Sequence, residues 1–87
     1  MESIWGEKHD KKITAFEIKV EEIEAKYQNL FNEHVNIITG SPPDKLSNHY
    51  ILHWDFRGYQ IGFRKESYIP DYIQKEVFEH FQQIFTD

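Results

Sequence analysis

Residues 50–64, YILHWDFRGYQIGFR, carry the clearest structural signal of the chain, because large apolar and polar side chains alternate along both halves of this segment. Alternation with a period of two is typical of a strand with one buried face, and two such runs around a turn predict a β-hairpin. A two-residue loop at 57–58 puts the large apolar side chains of both strands on one face. The pairs predicted on that face are Phe56–Tyr59, Trp54–Ile61 and Leu52–Phe63.

This register makes Trp54 a core anchor and leaves the other face of the hairpin open. Gly62 lies on the open face, where its missing side chain leaves a shallow notch that suits close approach by a ligand or partner. The alternative is that Gly62 only relieves strand twist or marks a bulge. The residues predicted around the notch are opposed as His53–Gly62, Asp55–Gln60 and Ile51–Arg64.

A helix is predicted after the hairpin, beginning near Pro70 and Asp71, because proline and an acidic residue both suit a first helical turn. Its apolar positions recur at helical spacing to the carboxyl end and form a core-facing stripe. These positions are Ile69, Ile73, Val77, Phe81 and Ile84, widened by Phe78 and Phe85.

A first helix is predicted before the hairpin, from about Ala15 to Glu33. Thr14 and Glu17 fit a capping box at its start, and apolar residues then recur three and four apart. The alternation of residues 16–20 leaves a second interpretation open, in which this segment is a strand and the helix runs only from about Glu21 to His34.

A short β-branched run, Val35–Thr39, predicts one more strand, which the Gly-Ser-Pro-Pro-Asp segment at 40–44 ends. A loop then extends to about Asn48, long enough to be either functional or simply mobile. The predicted class is therefore α+β, in the order helix-strand-strand-strand-helix, with a three-stranded antiparallel meander and both helices packed on one face. Residues 1–12 are predicted to be a flexible tail and residues 13–87 a single domain.

This element order resembles that of double-stranded RNA-binding domains, which begin their last helix with lysines that grip phosphates. Here that helix opens Pro70-Asp71-Tyr72 and offers only Lys75. The order alone therefore does not place the chain in that family.

Composition narrows the functional classes. The 87 residues include no cysteine, carry a formal net charge of -5 and contain no apolar run of signal-peptide or membrane-helix length. We therefore expect a cytoplasmic protein with no membrane attachment and little attraction for nucleic acid. Ile and Lys are abundant while Ala and Arg are scarce, a bias typical of AT-rich bacterial or phage genomes.

Catalytic and metal-binding patterns are weak. Along a strand His49 and His53 lie about 13 Å apart, too far to share one metal ion. No Gly-x-Ser-x-Gly motif or phosphate-binding glycine loop is present. We therefore expect no enzyme, no metal and no cofactor, with a hydrolase-like or metal-dependent activity centred on His53 as the alternative.

The remaining expectation is a small interaction module, such as a regulator, inhibitor or immunity-like protein, that acts by contact with another protein. Fourteen aromatic residues exceed what a core of this size readily hides, so some should be exposed as contact area. A homodimer that forms through the exposed strand edges is also possible. The alternative function is nucleic-acid binding through the basic tail from Lys8 to Lys12. The candidate partner-binding residues are Ile51, His53, Asp55, Gln60, Gly62, Arg64, Tyr72, Phe78 and Phe85.

Overall fold

The structure, a computed structural model, describes residues 6–86. Its elements are α1 (Gly6–Lys26), α2 (Gln28–Asn32), a 3₁₀ turn (Leu46–Asn48), β1 (Tyr50–Asp55), β2 (Gly58–Phe63) and α3 (Asp71–Phe85). The predicted α+β class is confirmed. Among the described residues, no helix is long and apolar enough to cross a membrane.

The first helix begins earlier than the sequence predicts. Residues 6–12, expected in the tail, form the first turns of α1, and the rest of that predicted tail lies outside the described residues. Thr14 is therefore inside the helix and caps nothing, and the strand interpretation of residues 16–20 is wrong. Alternation over only five residues does not distinguish a strand from a helix. In the structure Phe16, Val20 and Ile23 lie together on the buried side of α1.

The predicted helix to Glu33 is interrupted at Tyr27, whose backbone leaves the helical region at φ -113° and ψ 34°. Two hydrogen bonds connect this break to α3. Glu76 accepts one from the Tyr27 hydroxyl and one, at 2.9 Å, from Lys26 Nζ. The short α2 that follows buries Phe31. The break therefore lets the chain turn and place a second aromatic ring in the core.

The prediction of three strands is wrong, because the described residues form a sheet of only two strands. Residues 35–39 form a loop closed by Asn36, which pairs with Ser41 in an isolated bridge. Gly40 N–H donates to the Asn36 carbonyl at 2.7 Å, and Ile38 N–H to Asn36 Oδ1 at 2.8 Å. β-branched residues favour a strand only where a neighbouring strand is available for pairing. Within the described residues, no strand pairs with this segment.

The hairpin is present, but its predicted register is wrong by two residues. Asp55 pairs with Gly58, so the turn consists of residues 56–57 instead of 57–58. Asp55 Oδ1 accepts the Arg57 N–H at 2.8 Å, and Gly58 has a φ of +131°. Aspartate first and glycine fourth are typical of a tight turn, a signal that could have given this register. A shift of two keeps every side chain on its predicted face.

Trp54 is not the core anchor that the predicted register makes it. It pairs with Tyr59 at the end of the sheet and is 44% exposed. Its ring lies against His9 of α1, with centroids 4.6 Å apart, and His9 Nδ1 lies 3.0 Å from the Tyr59 hydroxyl. The early turns of α1 therefore cover this end of the hairpin.

The core lies between α1, α3 and the apolar face of the hairpin. The stripe predicted for α3 is present, with Ile73 and Val77 fully buried. From the hairpin, five side chains pack against this core: Tyr50, Leu52, Tyr59, Ile61 and Phe63. The outer face of the sheet and the loop before it remain at the surface.

Candidate functional site

A buried carboxylate, that of Asp44, lies at the end of the loop between α2 and β1. Asp44 is 4% exposed, and both of its carboxylate oxygens accept hydrogen bonds. Oδ1 accepts from the Lys45 N–H at 2.7 Å and from Asn48 Nδ2 at 3.1 Å. Oδ2 accepts from the Tyr68 hydroxyl at 2.7 Å and lies 2.6 Å from His49 Nε2. The carboxylate therefore ties the loop to the segment before α3.

These hydrogen bonds decide the ionisation of Asp44. Burial by itself raises the pKa of a carboxyl, but the bonds from Tyr68 and His49, followed by those from Asn48 and Lys45, lower it to about 2. Burial and the bond to Asp44 together raise the pKa of Tyr68 above its usual range. At neutral pH Asp44 is ionised and Tyr68 is a hydrogen-bond donor.

The cluster is held in place by backbone contacts from several elements. Asp44 N–H donates to the Phe31 carbonyl of α2 at 3.0 Å, and Arg64 N–H donates to the His49 carbonyl at 2.9 Å. The Glu24 side chain of α1 accepts the Leu46 N–H at 2.7 Å. The site is therefore hydrogen-bonded to α1 and α2 and lies beside the ends of β1 and β2.

Two aromatic contacts and a serine complete the cluster. The His34 ring stacks on Tyr68 with centroids 3.6 Å apart, and His49 meets the same ring edge-on at 4.7 Å. His49 Nδ1 lies 3.1 Å from Ser67 Oγ, which also accepts the Ile69 N–H at 3.1 Å. Asp44, His49 and Ser67 thus form a continuous line of hydrogen bonds.

An open depression of about 320 Å³ lies over this line. Apolar side chains of the preceding loop form one wall, and Arg64, held by a 3.1 Å bond from its Nε to the Asn48 carbonyl, lies on another. Its ten lining residues are His34, Val35, Ile37, Asp44, Asn48, His49, Arg64, Glu66, Ser67 and Tyr68.

The loop beside the depression exposes apolar side chains. Ile37 is 84% exposed and Ile38 is 78% exposed, with Val35 at 52%. Asn36, between Val35 and Ile37, is buried and stabilises the loop. Its Oδ1 accepts hydrogen bonds from the Ile38 N–H and, at 3.2 Å, from Asn48 Nδ2. We name residues 35–38 the apolar loop.

The outer face of the sheet, where the sequence predicts a notch, has a different arrangement from the predicted one. Gly62 opposes Ile51, and His53 opposes Gln60. The space around Gly62 is open, because an added Cβ would meet no atom within 4 Å. His53 is exposed, with its Nε2 3.7 Å from Asp55 Oδ2. Within the described residues, no group of three or more His, Asp or Glu side chains is placed to hold a metal ion.

The other predicted site residues are dispersed. Arg64 belongs to the depression over Ser67, and Tyr72 is 60% exposed on α3, beside Tyr27. Phe78 packs edge-on against Phe63. Phe85 is buried in the core. The structure therefore brings together only the residues of the outer sheet face.

The buried cluster was missed by the sequence analysis. Asp44 and Tyr68 stand 24 positions apart, and His49 and Ser67 stand 18 apart, in segments that look like ordinary turns. The one available signal was the length of the loop that contains Asp44, since long ordered loops are often functional. Comparison of the chain with protein-family models, curated proteins and solved structures found no match.

Proposed function

We propose that the protein is a small interaction module that binds another protein through the apolar loop. The observation that carries this proposal is the exposure of two consecutive isoleucines, Ile37 and Ile38, on a loop that is internally hydrogen-bonded. Exposure of apolar side chains to water is unfavourable relative to their burial, and the hydrogen-bonded loop keeps them exposed until a partner covers them. A preordered apolar projection binds with little further loss of conformational entropy.

The surface beside the loop indicates the chemistry of the partner. Three charged residues line the depression there, the basic Arg64 and the acidic Asp44 and Glu66. Charge of both signs therefore gives no preference for an acidic or a basic partner, and the exposed isoleucines dominate the surface. A partner segment that presents an apolar side chain complements this surface.

The test compares two isoleucine surfaces. A photo-cross-linking residue at position 37 is used to capture a partner from the source cell, and the purified candidate is then titrated against the parent protein. Ile37→Ser with Ile38→Ser should weaken binding at least tenfold, since two buried apolar contacts are lost.

The matched control is Ile51→Ser, because Ile51 is 54% exposed on the outer sheet face. It should leave the affinity unchanged. If Ile51→Ser weakens binding and the loop variant does not, the partner-binding surface is the outer sheet face around Gly62 and the proposal fails.

A further inference from the structure

We propose that Ser67 is a nucleophile activated by His49 and Asp44, and that the depression above it accepts a carboxylic ester with an apolar acyl group. This inference goes beyond protein binding, and it departs from the sequence-based expectation that the chain has no enzymatic activity. It rests on the line Asp44–His49–Ser67 and on the opening of that line into the depression.

The position of the proton on His49 follows from its neighbours. Ionised Asp44 can only accept hydrogen bonds, so the ring nitrogen 2.6 Å from it, Nε2, must carry the hydrogen. In the neutral ring Nδ1 is then an acceptor, and the group 3.1 Å from Nδ1 is the Ser67 hydroxyl. Ser67 therefore donates to His49, which is the arrangement that a general base needs. Relative to the Ser-His-Asp arrangement of serine proteases, the two ring nitrogens are exchanged.

The orientation of the serine is fixed as well. The Ile69 N–H donates to Ser67 Oγ at 3.1 Å, which occupies one lone pair and leaves the hydroxyl hydrogen for His49. The second lone pair of the oxygen remains for attack. A hydroxyl held this way needs no reorientation before the reaction.

The depression supplies the rest of the site. Val35 and Ile37 give it an apolar wall for an acyl chain, and Arg64 gives it a permanent positive charge. Arg64 Nε donates to the Asn48 carbonyl at 3.1 Å, and Arg64 and Ser67 both line the depression. In the proposed reaction, Arg64 stabilises the negative oxygen that forms when the carbonyl is attacked.

The reaction balances as an ester hydrolysis. Ser67 Oγ forms a bond to the carbonyl carbon, and its proton passes to His49 Nδ1. The carbon–oxygen bond to the alcohol then breaks, and the alcohol leaves with that proton. In the second half of the reaction, water takes the place of the serine hydroxyl. His49 accepts a proton from the water, the water oxygen attacks the carbonyl carbon of the acyl-serine, and Ser67 leaves with the proton that His49 returns.

The first test uses the absence of cysteine, because Ser67→Cys introduces the only thiol of the chain. A thiol beside His49 should have a lowered pKa and react with iodoacetamide at pH 7 at least about fivefold faster than the thiol of Ser47→Cys. Ser47 is more exposed than Ser67, so simple access favours the control. Adding His49→Gln to Ser67→Cys should remove the advantage. Equal rates for the two single variants overturn the proposal.

The second test measures the serine itself in the full chain. A fluorophosphonate probe should add once to the protein, with the modification mapped to Ser67, and p-nitrophenyl butyrate should be hydrolysed at a rate that Ser67→Ala lowers at least tenfold. Ser47→Ala should leave both signals unchanged, and circular dichroism checks that each variant is folded. If the probe does not label Ser67, or if Ser67→Ala hydrolyses the ester as fast as the parent, Ser67 is a structural residue and the inference is wrong.

Discussion

The Tyr68 hydroxyl donates to Asp44 Oδ2 at 2.7 Å and so joins the segment before α3 to the loop before β1 across 24 positions of sequence. Asp44 is buried and Tyr68 is partly buried, so the bond joins an ionised acceptor to a neutral donor with partial shielding from water. The same carboxylate orders His49 and Asn48, which makes this bond part of one closed network.

Removal of the Tyr68 hydroxyl should therefore destabilise the fold. We expect Tyr68→Phe to lower the free energy of unfolding by about 1.5–3 kcal/mol, because Asp44 loses one charge-assisted hydrogen bond while it stays buried. Urea denaturation followed by circular dichroism measures this. Tyr72→Phe is the control, since Tyr72 is 60% exposed, and it should change the value by less than about 0.5 kcal/mol.

The pH dependence of stability should carry the signature of Asp44. Its pKa is lowered from 3.8 to about 2 in the folded protein, so its contribution is fully present above pH 4 and is lost as the pH falls towards 2. That shift corresponds to roughly 2 kcal/mol. Asp44→Asn should be less stable than the parent at pH 6, and the difference should narrow as the pH falls from 4 to 2. A difference that stays constant over this range contradicts the assignment.

Phe16 of α1 and Trp54 of the hairpin should contribute unequally to the free energy of unfolding. Phe16 is fully buried between Tyr50, Phe81 and Phe85, so Phe16→Ala should lower the free energy of unfolding by about 3–5 kcal/mol. Trp54 is 44% exposed, and Trp54→Ala should lower it by only about 1–2 kcal/mol. Chemical denaturation of the two variants compares them. A larger loss for Trp54→Ala would restore the register with Trp54 opposite Ile61.

Two glycines of the hairpin should respond in opposite directions to alanine. Gly58 has a φ of +131°, which other residues adopt only with strain, so Gly58→Ala should destabilise by about 1–2 kcal/mol. At Gly62 an added Cβ meets no atom within 4 Å, and Gly62→Ala should be neutral or stabilise by up to about 1 kcal/mol. Thermal denaturation measures both. Equal effects would contradict the positive φ at Gly58.

The predictable part of the fold rests on short-range patterns. The alternation in residues 50–64 gave the two strands and the face that each side chain occupies, and the stripe of α3 gave its buried side. Alternation alone does not define the register, because a shift of two residues keeps every side chain on its face. Only the turn between Asp55 and Gly58 distinguishes the two registers. The run at residues 35–39 has strand-forming residue types but no partner strand, and a partner is a property of the whole fold.

Residue types and spacings of two to four residues are enough to predict the α+β class, the hairpin and the position of α3. The meeting of Asp44, His49, Ser67 and Tyr68 under one depression, and the exposure of the apolar loop, follow from the packing of the whole chain. The reason is physical. Periodicity records which side of an element is apolar, whereas the contacts of a buried carboxylate depend on where packing of α1, α3 and the sheet places loops that lie far apart along the chain.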